Sequence, residues 1–77
     1  MELHTAKFLI AKFGKVEIEN LHKKEIAQLI IAMDTINLSK GKQLKVHEFK
    51  YHQLRNIRKC QLIQILKVTR NVYNMEG

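Results

Sequence analysis

The chain contains no proline and no tryptophan, and its only glycines are Gly14, Gly41 and Gly77. With so few breakers, the two internal glycines are the natural punctuation and divide the chain into three segments. Cysteine is limited to Cys60. One thiol excludes an internal disulfide and suits a reducing compartment, so a cytoplasmic protein is expected. Cys60 itself is read as a partly buried small residue. The longest apolar stretch, Leu29 to Met33, is far below the ~20 residues that cross a bilayer. The start, Met1-Glu2-Leu3-His4, lacks the basic region of a signal peptide, and Phe8-Leu9-Ile10-Ala11 is too short for its apolar core. Asn37-Leu38-Ser39 has the form of a glycosylation acceptor, which has no meaning without a secretory route.

Acidic residues are scarce in the second half. Residues 1–39 balance five lysines against five acids, whereas residues 40–77 hold six lysines and three arginines against Glu48 and Glu76, which is the whole formal net charge of +7. Segregated charge of this kind points to a polyanion or an acidic partner surface, because like charges on a small body repel until a counter-charged ligand neutralises them.

Seventy-seven residues make a single domain, 1–77, with a modest core. No disulfide or metal staple is indicated, so self-association is the expected support, in the form of a homodimer. The expected fold is mainly α: a small bundle of about three helices, roughly 3–13, 22–38 and 50–73, with a short extended segment near 15–19.

In the first segment Leu3, Ala6, Phe8-Leu9-Ile10 and Phe13 form a helical apolar face, with Gly14 as a left-handed C-cap. A strand over Lys7–Phe13, turning at Gly14-Lys15, is the competing reading, since short apolar runs are not settled by periodicity. Val16, Glu17, Ile18 and Glu19 alternate, as an extended piece would. In the second segment Glu25 stands at the third helical position, where its carboxylate reaches back to the helix start, and Leu21 and Ile26 are spaced as a hydrophobic staple. His22 is a poor cap residue, so Asn20 is an alternative. Ile26, Leu29, Ile30, Met33 and Ile36 fall on one stripe, and Ser39-Lys40-Gly41-Lys42 ends the helix. In the third segment, measured at ~100° per residue from Leu54, Ile57, Gln61, Ile65, Val68 and Val72 lie within roughly 60° of one line. Residues 44–51 read equally as an extended arm or as the first helical turns.

Opposite that seam the same wheel gathers His52, Arg55, Lys59, Lys67 and Arg70, a basic stripe ~27 Å long. This matches about eight base pairs at ~3.4 Å per pair. Lys40, Lys42 and Lys45 precede it as further phosphate contacts, since lysine offers a point charge and arginine a planar fork. The bland alternative is a solvated charged face, but such a face normally mixes signs. Ile31, Leu62, Ile63 and Leu66 lie away from the main seam and are read as a dimer or partner interface.

Catalytic readings fail in turn. Gly41-Lys42-Gln43 lacks the upstream glycine and the hydroxyl of a phosphate-binding loop. On one helix Cys60 stands about 80° and two turns from His52, too far for a Cys–His dyad. His47 and His52 splay about 140° on a helix, and His4 and His22 stand alone, so no metal and no cofactor is expected. Glu17 and Glu19 are the only paired carboxylates, on an exposed edge. Three phenylalanines and two tyrosines are too scattered for a base-stacking platform.

Residues Thr5-Ala6-Lys7-Phe8-Leu9-Ile10-Ala11-Lys12-Phe13-Gly14, followed by Val16-Glu17-Ile18, resemble the opening of pyocin-activator-type regulators. The likeness covers under a fifth of the chain, and after Leu29 the helix-turn-helix and wing pattern of that group does not follow, so no residue role is taken from it. The expected function is a non-enzymatic nucleic-acid-binding regulatory protein, with DNA favoured over RNA. A small inhibitor or adaptor docking on an acidic protein surface is the alternative, and an assembly part contacting packaged nucleic acid a third.

Overall fold

The computed structural model describes residues 1–41 and 54–75, which form α1 (Leu3–Phe13), a turn of 3-10 helix (Ile18–Asn20), α2 (Lys23–Ser39) and α3 (Lys59–Asn74). Among the described residues there is no strand. The first segment is therefore helical, and the strand alternative for Lys7–Phe13 is excluded. Glu17 is extended (φ −63°, ψ 138°) and leads into the 3-10 turn.

Gly14 does not take the left-handed conformation expected of it. Its φ is −65° and its amide donates to the Ile10 carbonyl at 2.7 Å. Glycine is required there for space, since a Cβ would collide with that same carbonyl oxygen.

At the start of α2, Glu25 accepts a hydrogen bond from the His22 backbone N–H at 2.8 Å, and His22, not Asn20, is the N-cap. Leu21 and Ile26 are both buried, as the staple requires. α2 ends at Gly41, whose φ of +73° is left-handed, while the Gly41 and Lys40 amides donate to the Leu38 and Ile36 carbonyls at 3.0 and 3.1 Å. A side chain at position 41 meets no atom within 4 Å, so its cost is conformational alone. Gly41→Ala is expected to lower stability by about 1 kcal/mol, measured by urea unfolding.

α2 is the central element. Ile26, Ala27, Leu29, Ile30, Ala32, Met33 and Ile36 are all buried, a span too wide for one stripe because α1 covers one flank and α3 the other. Ala6 of α1 packs with Ala32 and Ile36, while Phe13, Leu21, Ile26, Leu29, Ile30, Met33, Leu54, Leu62 and Leu66 form the main cluster. The contacts between α2 and α3 advance together. Arg55 lies beside Lys23 and Lys24, the Asn37 side-chain amide donates to the Thr69 carbonyl at 3.4 Å, and the Lys40 ammonium stands 5.9 Å over the Tyr73 ring. The two helices therefore run parallel, with their N-terminal ends side by side. The buried Thr69 hydroxyl is satisfied within its own helix, donating to the Ile65 carbonyl at 2.8 Å.

The third helix departs most from expectation. It begins at Lys59, not near residue 50, after a turn at Arg55 and Asn56 closed by the Ile57 amide donating to the Leu54 carbonyl at 3.2 Å. Residues 50–53 lie outside the described residues. The phase of a helical wheel does not pass through a turn, so the seam counted from Leu54 is displaced. Leu62, Leu66 and Thr69 are buried on α3, whereas Gln61 and Val68 are exposed and Ile65 and Val72 are half-buried.

Candidate nucleic-acid interface

The parallel order of α2 and α3 brings cations together that are far apart in the chain. Lys23 and Lys24 are the first two residues of α2. With Ala27 and Arg55 they line an open cleft of about 480 Å³. Ala27 sits one turn into the helix, and its single methyl leaves space between the longer side chains. Arg58 and Lys59 follow, as the N-cap and first residue of α3, within about 14 Å of chain from Arg55.

The backbone adds to this field. The first amides of a helix have no intrahelical acceptor and carry about half a positive charge in sum. α3 has no acid in its first turn and no side-chain cap bond. The α2 start has Glu25, but that carboxylate accepts from the His22 amide. Between the described residues, His4 Nδ1 and the Glu2 carboxylate stand 3.3 Å apart. No described lysine or arginine has a carboxylate within ion-pair distance, and Glu25 is the one acid in the first turn of α2 at this end.

Of the expected stripe, Lys59, Lys67 and Arg70 share α3 within about 80° of one another, and Arg55 does not. Arg55 lies in the cleft, before α3 and not on it; Lys59 opens α3 and Lys67 is exposed further along. Lys40 and Arg70 belong to the opposite end of the helix pair, where Lys40 covers Tyr73 and Arg70 is half-buried in a second cleft. Lys42, Lys45 and His52 lie outside the described residues. Lys23 and Lys24 were missed because charge was counted along the chain, where the first half is neutral. A usable signal was present: two lysines in a first helical turn oppose the helix dipole by about 0.3–1 kcal/mol each, a placement that favours an anion.

The expected apolar interface also changes. Leu62 and Leu66 are fully buried against α2 and present no surface. They are core residues because the turn before α3 rotates them inward. Ile31 and Ile63 are half-buried and pack on that core. Cys60, expected to be partly buried, is exposed. Among the described residues no group of three metal-ligating side chains occurs, and no helix is long and apolar enough to cross a membrane.

No family model, curated protein or solved structure matches the chain, so the likeness of residues 5–18 to pyocin-activator-type regulators remains a local one.

Proposed function

We propose that the protein is a non-enzymatic nucleic-acid-binding protein that holds the phosphate backbone of duplex DNA at the paired N-terminal ends of α2 and α3. The observation that carries this reading is the convergence of Lys23, Lys24 and Arg55 on one cleft, none of them in ion-pair contact with a carboxylate. Arg58 and Lys59 extend the same positive end, and Lys67 continues it along the exposed side of α3. Ammonium, guanidinium and free helix amides are the groups that meet phosphate oxygens. Such contacts position a duplex without reading its sequence, so affinity comes chiefly from counterion release.

Titration of a labelled random duplex across a salt series tests the reading. If Lys23, Lys24, Arg55, Arg58 and Lys59 each neutralise a phosphate, log K falls against log salt with a slope near −4.5, at about 0.9 per contact. Arg55→Ala is expected to reduce that slope by about one. Absence of binding at low salt, or a slope indifferent to Arg55, overturns it.

A second reading, an adaptor docking on an acidic protein surface, draws on a different feature. Val68 on α3 and Met75 just after its end are exposed, near half-buried Ile65 and Val72, an apolar strip that backbone-phosphate binding does not use. Failure of the duplex titration leaves this reading in place.

A further inference from the structure

A second cleft, between the end of α1, the middle of α2 and the end of α3, has a different character. Among the described residues it is lined by Ile10, Ala11, Gly14 and Lys15 at the end of α1 and just after it, Met33 of α2, and Arg70, Tyr73 and Asn74 of α3, as an open cleft of about 400 Å³. That is within the ~300–1,000 Å³ range of small-molecule sites. Its walls are largely apolar. Its two charges, Arg70 and Lys15, have the same sign and come from different helices.

Arg70 is the informative group. Its guanidinium has one nitrogen, Nη2, that is buried and has no hydrogen-bond partner. No carboxylate lies within ion-pair distance of it. A buried N–H left without an acceptor costs about 1–3 kcal/mol, more when it is charged. The residue as a whole is half-buried and lines the cleft, so no group of the fold offsets that cost in place. Lys15 stands on the exposed turn after α1, where nothing in the fold needs a second cation.

We propose that this cleft binds an amphipathic carboxylate, with its head held by the Arg70 guanidinium and the Lys15 ammonium and its hydrocarbon body laid against Ile10, Met33 and Tyr73. The planar fork of arginine matches the two oxygens of a carboxylate. A singly charged head is favoured over a phosphate dianion, because the apolar wall strips water from whatever enters and the desolvation cost rises with charge. The inference is independent of the duplex-binding reading, which uses neither Arg70 nor Lys15.

The test is an amide-resolved NMR titration of the whole chain with sodium octanoate, with octan-1-ol and inorganic phosphate as separate arms. Octanoate is expected to shift the amides of residues 10–15 and 70–74 saturably, and each of the other two to bind at least about tenfold more weakly. Arg70→Met retains most of the aliphatic stem and is expected to weaken octanoate binding about tenfold or more. Lys15→Met, on the surface and without consequence for folding, is expected to weaken it about threefold. Octanol binding as well as octanoate shows a merely greasy groove and overturns the proposal. Phosphate binding equally well overturns the amphipathic assignment. Octanoate shifts that are absent, or that survive Lys15→Met and Arg70→Met unchanged, overturn it altogether.

Discussion

Leu66→Ala is expected to lower stability by about 3 kcal/mol, while Val68→Ala two positions on changes it by no more than about 0.5 kcal/mol. Leu66 is completely buried and belongs to the cluster that joins Leu62 to Leu29, Ile30 and Met33 of α2. Truncating it removes three carbons' worth of transfer energy and leaves a cavity between two packed helices, where the backbone has little freedom to collapse. Val68 is half exposed, at 50%, and loses little when shortened. For a chain of 77 residues, total stability of roughly 4–12 kcal/mol is expected. The Leu66 substitution therefore removes a large share of it and lowers Tm by roughly 12–24 °C. Thermal melts followed by far-UV circular dichroism decide the matter. The reverse ranking, with Val68→Ala the more damaging, would place the α3 seam on Ile65, Val68 and Val72, as the unbroken helical wheel has it.

That comparison marks where the sequence was legible and where it was not. α1 and α2 could be read because their ends carry local chemistry. Gly14 and Gly41 stop them, Glu25 closes on the His22 amide, and Leu21 meets Ile26. Each of these signals acts within about five residues. The start of α3 has no such mark: between Leu54 and Lys59 stand Arg55, Asn56, Ile57 and Arg58, none of them a strong breaker. The turn there is set by packing, since Leu54 and Leu62 are both fully buried although an unbroken helix would point them about 80° apart. A wheel that ignores the turn misplaces the buried face of α3, although Lys59 and Lys67 are exposed and Ile65 packs on the core as it expects. Leu62 and Leu66 were then read as interface, and Arg55 was placed on one stripe with Arg70. The cation cluster was hidden for a related reason. Lys23 and Lys24 come within reach of Arg55 only because α2 and α3 run parallel, and no local pattern encodes the relative direction of two helices.

The largest functional effect is expected from removing that cluster together. Lys23→Gln, Lys24→Gln and Arg55→Gln combined should reduce the salt slope of duplex binding by about 2.7, three contacts at about 0.9 each. Near 50 mM salt each such contact is worth roughly tenfold, so the Kd should weaken by about a thousandfold. A control separates local geometry from net charge: Lys7→Gln with Lys12→Gln removes two exposed cations of α1 that lie outside the cleft, and it should leave the slope nearly unchanged. Proportionate losses in both variants would mean that duplex binding responds to total charge and that the cleft has no special part in it. Unfolding is not a rival explanation for the triple variant. Lys23 and Lys24 occupy the first turn of α2, where a cation opposes the helix dipole, and none of the three side chains has a carboxylate partner to lose. Its melting temperature should therefore equal or slightly exceed that of the parent chain. Weaker binding by a protein at least as stable would locate the phosphate contacts at the paired helix ends.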